Sequence, residues 1–471
     1  MPRTARVRLA SVSAAFLPAL EQARLVRERE VSSLELVQEY LARIERFDPE
    51  LNAYVTVAAD EAVAAARTAR EGPFAGVPLP IKDLVQTAGI RTTYSCRAFA
   101  DNVPDEDAEL VRRVRAAGFV VLGKTNTPEF GTTAVTESDL NGACRNPWDD
   151  SRTPGGSSGG AAAAVAAGLA PLAQGSDGGG SIRIPSSCCG LFGLKPSRGR
   201  TSPAPLGDAY GLSVQGPIAR TVADAAAYLD ALAGPEPGDP YVAPPPERPF
   251  LDEVGRAPGW LRAALVLEPP VRVPVDAACV GAARGAAGVL EELGHDVEEV
   301  GIGWNGEGLG ELFATVWQTI PALYAVPDRS LLEPLNQEFA RRADATSSAD
   351  YVRAYVRLQS YGRRVAEFCA QHDVVVTPTL ALPPVPVGWV REPDDPWEQY
   401  ERALRFTPFT PAVNMAGLPA VSVPSGWTEQ GLPLGVQIIG PFAGEGLLIR
   451  LAAQLEEARP WAERRPPLDE T

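Results

Sequence analysis

The chain reads as an α/β fold, a central β-sheet covered on both faces by helices. Two observations predict it. Short apolar segments with strand character alternate with amphipathic or Ala-rich helical segments along the 471 residues. No internal repeat of roughly 20 to 50 residues, the mark of a solenoid or propeller, interrupts that alternation.

The elements follow in order. Ser32-Ser33-Leu34-Glu35 is a capping box, and Leu34, Val37, Leu41 and Ile44 then recur at helical spacing. An Ala-rich helix is expected over 58–70. Residues 76–81 lead as a short extended segment into Lys82. Helix is expected over 108–117, buried strand over 119–122, and further helices over 161–167 and 221–233. A Pro-rich stretch over 234–249 marks a boundary or a long surface connection. Beyond it, strands are expected over 264–267, 296–300, 373–376, 421–423 and 435–439. Helices are expected over 277–293 and 446–457.

Composition excludes some functions. The chain is 45% apolar and 22% charged, with a formal net charge of -16. Nucleic acid and anionic membrane surfaces both call for a basic patch, so neither is expected as a partner. The longest near-apolar run, 161–173, is too short and too broken by Gly and Pro to span a bilayer. Arg3, Arg6 and Arg8 before the apolar stretch 9–17 faintly resemble a secretory signal. Serines and Pro18 interrupt that stretch and no Ala-x-Ala site follows, so a cytoplasmic protein is expected. Cys96, Cys144, Cys188, Cys189, Cys279 and Cys369 include no Cys-x-x-Cys pair and read as reduced, buried thiols.

Lysine usage is the first pointer to chemistry. Of 43 Lys and Arg residues only three are lysine: Lys82, Lys124 and Lys195. Arg stays protonated, whereas a buried Lys can shed its proton and act as a base. All three lie in the stretch that holds the Gly-Ser-rich segments 155–160 and 175–185. In the second, three glycines directly precede Ser181. Inward-turned N–H groups there would make a nest for negative charge beside a nucleophilic hydroxyl, the layout acyl transfer needs.

Histidine is scarce: His295 and His372 each precede an Asp-Val segment and read as turn residues. Gly155-Gly156-Ser157-Ser158-Gly159 fits the nucleophile-elbow pattern, but turn-like residues 146–152 precede it where a strand is required. A serine enzyme without a His base needs another, and lysine is the obvious one. These residues do not choose between Ser157 and Ser158.

The motifs Gly76-Val77-Pro78-Leu79-Pro80-Ile81-Lys82-Asp83 and Gly123-Lys124-Thr125-Asn126-Thr127-Pro128-Glu129-Phe130-Gly131, the two Gly-Ser segments, and Cys189-Gly190-Leu191-Phe192-Gly193-Leu194-Lys195-Pro196 together resemble the amidase signature family. Ala416-Gly417-Leu418-Pro419-Ala420-Val421-Ser422-Val423-Pro424 and Gly431-Leu432-Pro433-Leu434-Gly435-Val436-Gln437 extend the likeness, which covers about residues 20–235 and 365–460.

The resemblance implies a central mixed sheet between helices. It implies Lys82 as catalytic lysine, Ser157 as bridging serine with a cis peptide, Ser181 as nucleophile, and the N–H groups around Gly178, Gly179 and Gly180 as oxyanion hole. It implies one amidase domain over 1–471: a helical N-terminal region (1–70), a signature core (71–235), a variable pocket region (236–365) and a C-terminal part of the core (366–471). No metal or cofactor is implied, and a homodimer is allowed.

Two departures stand out. Gly178 occupies a position where the family more often carries Thr or a branched aliphatic residue. Tyr94-Ser95-Cys96 stands where a small Gly-containing pair is common.

The chemistry is demanding. An ordinary lysine pKa is about 10.4, so a base working near pH 7 to 8 needs a fall of about three, worth roughly 4 kcal/mol. Burial supplies such falls, provided Asp83 next door points elsewhere. Lys124 and Lys195 are expected to be structural. Two motifs are decoys: residues 118–125 match the P-loop pattern but read as strand interior, and residues 301–306 match a dinucleotide pattern whose helix start Gly308 and Gly310 spoil.

The reading is a hydrolase of small carboxylic amides working through a serine acyl-enzyme. Trp304, Phe313, Trp317 and Tyr324 are expected near the pocket. The alternatives are a glutamine-hydrolysing subunit of a tRNA-dependent amidotransferase, a cyclic amide oligomer hydrolase of the 6-aminohexanoate cyclic dimer type within the amidase reading, and a catalytically silent binding protein.

Overall fold

The computed structural model describes residues 14–68, 71–205, 207, 210–304 and 308–468. The basic and apolar stretch of the weak signal reading lies mostly outside these residues. The capping box forms as read: Ser32 Oγ accepts from the Glu35 N–H at 3.1 Å, and the Glu35 carboxylate accepts from the Ser32 N–H at 2.8 Å. The helix it opens runs Ser33–Leu51.

Three strands form a small sheet: β1 (Tyr54–Val57), β2 (Pro78–Lys82) and β3 (Val120–Thr125). β3 is central, parallel to β2 and antiparallel to β1. Residues 118–125 are thus largely strand interior, as the P-loop rejection required. A short hairpin, β4 (Glu137–Ser138) and β5 (Gly142–Ala143), follows.

The main sheet holds β6 (Leu172–Asp177), β7 (Phe192–Lys195), β8 (Val214–Ala219), β9 (Arg262–Leu265), β10 (Asp296–Glu299), β11 (Val374–Pro378), β12 (Ala420–Trp427) and β13 (Pro433–Ile439). Its order is β10-β9-β11-β13-β12-β7-β8-β6. β10, β9 and β11 are parallel, while the pairings from β11 to β6 are antiparallel, so the sheet is mixed.

Alternation along the strands feeds two cores. Val374 and Val376 of β11, with Ala263 and Leu265 of β9, pack with helices Ala277–Glu292, Val222–Leu232 and Glu445–Ala458. Val375 and Ala264 face the other way, toward helices Leu309–Trp317 and Ser348–Cys369. Both faces are covered, and no described helix is long and apolar enough to cross a membrane.

Several elements carry no clear sequence signal. β1, β6, β7 and β8 were not anticipated; glycine or proline interrupts the last three, as in Leu-Ala-Gln-Gly-Ser-Asp and Val-Gln-Gly-Pro-Ile-Ala. Helices Pro334–Ala345, Ser348–Cys369 and Pro396–Phe406 occupy the 334–406 interval, where the sequence pattern shows only the strand at β11. The Pro-rich stretch 234–249 forms no helix or strand.

The two sheets meet where the site lies. β2 ends at Lys82 and β6 at Asp177. Between them the wholly buried helix Gly159–Ala166 starts just after Ser157-Ser158, and helix Arg183–Cys189 starts just after Ser181.

Candidate active site

β2 is buried at every residue, which carries the Lys82 amine into the interior. Lys82 is 0% exposed, and its Nζ donates to Ser157 Oγ at 2.7 Å and Ser176 Oγ at 3.0 Å. Its own N–H donates to Gln174 Oε1 at 2.9 Å, tying β2 to β6. Burial pushes the amine down from 10.5 to about 7, against the opposing pull of the Asp177 charge. An amine so placed can take up and return a proton near neutral pH. Asp83 does point elsewhere: its carboxylate accepts from Thr93 Oγ1 at 2.5 Å and the Thr93 N–H at 3.1 Å.

The Gly156–Ser157 peptide is cis. The Ser157 hydroxyl meets Lys82, while Ser158 Oγ turns to the Ser176 carbonyl at 3.3 Å. The pair left open by the sequence is thus distinguished by geometry.

Asp177 organises the loop that carries Ser181. Its Oδ1 accepts from the Gly180 N–H at 2.8 Å and its Oδ2 from the Ile182 N–H at 3.2 Å. Arg183, 0% exposed, grips the same carboxylate through Nε at 3.0 Å and Nη2 at 2.9 Å. Asn414 Nδ2 adds a bond at 2.9 Å. Burial alone would raise this carboxyl, but the Arg183 charge and these bonds outweigh it and hold Asp177 well below the usual carboxylate range.

The Gly180 N–H, grouped with those of Gly178 and Gly179 by resemblance, donates to Asp177 Oδ1. The Gly178 and Gly179 N–H groups have no backbone partner among the described residues. Gly180 has φ 133°, and a Cβ there would lie 2.2 Å from Thr410 Oγ1. Thr410 Oγ1 in turn donates to the Gly179 carbonyl at 2.7 Å.

The other two lysines brace the frame. Lys124 donates to the Val85 carbonyl and, at 3.1 and 3.0 Å, to the hydroxyls of Thr87 and Thr92; burial lowers it to about 8. Lys195 donates to the Pro196 carbonyl at 2.7 Å and is lowered to about 7, first by burial and then by the Arg183 charge. Neither lines the cavity at Ser181. His295 pairs with Gln454 at 2.9 Å, and His372 packs near Phe368, both away from that cavity. All six cysteines are free and buried. Among the described residues no group of three or more His, Cys, Asp and Glu gathers to hold a metal.

Ser157, Ser176 and Ser181 open onto one cavity of about 230 Å³. Its described lining contains no Asp, Glu, Lys, Arg or His. Trp317 and Tyr324 line it as expected, and Phe313 lines an adjoining space. Trp304 is a correction: it packs edge-on against Phe368, ring centroids 4.7 Å apart, and touches neither space. Tyr94 stands behind the wall against Tyr324, centroids 5.1 Å apart.

Sequence reasoning passed over Ser176, Arg183, Thr410 and Asn414. Ser176 sits in the Gly-Ser segment 175–185, but nothing in that segment marks its hydroxyl as a partner of Lys82. Thr410 and Asn414 are more than 200 residues from Asp177 and had no signal.

Fold, motifs and buried amine define a hydrolase of the amide-cleaving kind, and comparison with known proteins agrees. A family model described as Amidase matches residues 35–449. A putative amidase of Synechocystis sp. is 39% identical over 456 residues, covering 94% of this chain and 88% of that protein. The 6-aminohexanoate-cyclic-dimer hydrolase of Pseudomonas sp. is 39% identical over 479 residues, covering 96% of both. A solved structure of 6-aminohexanoate cyclic dimer hydrolase superposes with a TM-score of 0.92 at 37% identity, covering 96% of this chain and 99% of that one. The chain belongs to the amidase signature family and is a hydrolase of carbon–nitrogen amide bonds.

Proposed function

We propose that the chain cleaves neutral carboxylic amides through an acyl-enzyme on Ser181, with Ser157 as proton bridge and Lys82 as base. One observation carries the reading: a buried amine lowered to about 7 stands 2.7 Å behind the Ser157 hydroxyl, and Ser157 opens onto the cavity that also exposes Ser181. Ser181 Oγ adds to the amide carbon. Its proton passes to Ser157, whose own proton passes to Lys82. The carbonyl oxygen becomes an oxyanion and accepts from the Gly178 and Gly179 N–H groups. Collapse breaks the C–N bond, and the relay run backward protonates the departing nitrogen. Water then repeats the sequence on the ester, releasing the acid and freeing Ser181.

The absence of charged side chains from the described lining supports a neutral substrate. Against those residues a free carboxylate or ammonium would be desolvated and unpaired, which is strongly unfavourable. This weighs against a glutamine-hydrolysing subunit, which must grip a charged amino acid head. Cyclic amide oligomers are a second reading, supported by the similarity to the cyclic-dimer hydrolase. A cytoplasmic setting is supported by the six free, buried thiols.

Treating wild type, Lys82→Ala and Ser181→Ala with a fluorophosphonate probe, followed by peptide mass spectrometry, tests the reading. Labelling at Ser181 that falls in Lys82→Ala is expected. Equal labelling of wild type and Lys82→Ala, with equal amide turnover between pH 6 and 10, would overturn the base assignment.

A further inference from the structure

Two spaces meet at Ser181. The first is the cavity of about 230 Å³, and the second is a pocket of about 40 Å³. Gly131, Ser181 and Trp317 belong to both linings, so the Trp317 indole is the wall between them. The spaces differ in character. Gln215, Tyr210, Ser202 and the proposed relay hydroxyls give the larger one polar groups. The smaller one sets Ile184, Phe313, Leu404 and Pro411 beside Thr132, Thr133 and Thr407, and is the less polar of the two.

The wall is fixed on three sides. Trp317 Nε1 donates to the Thr132 carbonyl at 2.9 Å. Its ring stacks on Phe313, centroids 5.0 Å apart and 23° between planes. Its far edge lies over Gly178, where an added Cβ would stand 3.1 Å from Cη2 and 3.2 Å from Cζ3. Gly178 is not among the residues of positive φ, so its backbone does not call for glycine. The indole does. Thr or a branched residue there would press its further atoms into the ring, and interiors this dense do not absorb such an insertion freely.

We infer that Gly178 and Trp317 are a matched pair that divides the substrate site, making Trp317 a specificity-determining residue. The site then takes open-chain amides with unequal halves: one apolar half small enough for the lesser pocket, the other larger and seated in the main cavity. Amides bulky on both sides of the C–N bond are excluded by the indole. A ring amide, whose halves are joined, cannot straddle the wall, which weighs against the second, cyclic-oligomer reading. This inference rests on Ser181 being the nucleophile, because Ser181 is where the two spaces join.

The test compares kcat/KM for acetanilide, N-methylphenylacetamide and N-phenyl-2-phenylacetamide in wild type, Trp317→Ala, Trp317→Leu, Gly178→Thr and Gly178→Thr/Trp317→Ala. Each protein is also scored for thermal unfolding and for fluorophosphonate labelling of Ser181. Wild type is expected to prefer at least one of the first two amides over the third by about 10-fold or more. Either Trp317 variant is expected to shrink that ratio by about 10-fold. Gly178→Thr is expected to lose activity on all three amides, and the double variant to recover about 10-fold of that loss.

A labelled wild type that treats the three amides alike, or cleaves none, overturns the partition while leaving the catalytic reading standing. So does a ratio unchanged in a folded Trp317 variant, or a Gly178→Thr loss that Trp317→Ala does not relieve. A folded wild type that takes no label at Ser181 overturns the catalytic reading, and the partition falls with it.

Discussion

Asp177 and Arg183 face each other through two parallel hydrogen bonds of 2.9 and 3.0 Å, with both side chains wholly shielded from solvent. Between them in sequence lie the three glycines and Ser181. The pair clamps the two ends of that loop together, and Asp177 also accepts from the Gly180 and Ile182 N–H groups of the loop and from Asn414 Nδ2.

Breaking the clamp from both sides is therefore expected to cost less than the two one-sided breaks added together. Arg183→Met leaves a buried carboxylate uncompensated, a loss of about 3–5 kcal/mol. Asp177→Asn/Arg183→Met is expected to be less destabilised than the two single changes added together. Urea unfolding of the four proteins measures this, and strict additivity would contradict the clamp.

The pH profile is expected to follow the Lys82 amine. With burial lowering it to about 7, the proton-accepting form fills as pH rises through that value. Amide kcat/KM should climb through a midpoint near 7 and level off above it. A flat profile between pH 5.5 and 9 in a protein that stays folded would contradict this.

The same amine is expected to weigh on stability. From 10.5 unfolded to about 7 folded, the unfolded chain holds a proton the folded chain has shed. Stability therefore rises with pH across that window, and the penalty is greatest below pH 7. Lys82→Met should raise the unfolding midpoint at pH 6.5, with a ceiling near about 5 kcal/mol before the lost hydrogen bonds are subtracted. The gain should shrink toward pH 10. Thermal melts at both pH values check the sign.

Glu333 is expected to show the opposite slope. Burial raises its carboxyl to about 7 despite the Arg391 charge, and the Glu129 carboxylate adds to the rise. A raised acid contributes stability that is complete below pH 4.5 and is lost as pH climbs through about 7. Glu333→Gln should therefore gain on wild type between pH 5 and 8. Melts across that range would show parallel curves if the carboxyl titrates normally.

Gly131 is expected to tolerate no side chain. Its φ is +71°, and a Cβ would stand 2.7 Å from Leu84 Cδ1 and 3.1 Å from Ser157 Oγ. Gly131→Ala carries backbone strain of about 1–2 kcal/mol. Displacing the Ser157 hydroxyl should lower amide kcat/KM by about 100-fold. Stability and kinetics measured on one preparation separate the two effects.

Legibility in the sequence followed how local each signal was. The Ser32–Glu35 capping box reads within four residues, and it formed with both of its hydrogen bonds. The lysine count drew attention to Lys82 because a buried amine is a rare choice in an arginine-writing chain. By contrast, β6 and β8 hide behind glycine and proline, whose cost is met by pairing partners that a local pattern does not display. Trp304 looked like a pocket aromatic alongside Trp317. It lies ahead of the helix that carries Phe313 and Trp317, and the ring of Phe368, 64 positions later, decides where it packs. The engagement of the Gly180 N–H depends on the side-chain conformation of Asp177, which no spacing rule encodes.

All three lysines are at most 1% exposed, and the remaining Lys-or-Arg positions are all arginine. The folded surface therefore offers no side-chain primary amine. Acylating reagents such as N-hydroxysuccinimide esters will find no lysine while the chain is folded. When the molecule opens, three lysine amines become reactive. The number of tags per chain, read by mass, then counts the fraction of molecules that have opened, a built-in reporter that a lysine-rich relative would lack.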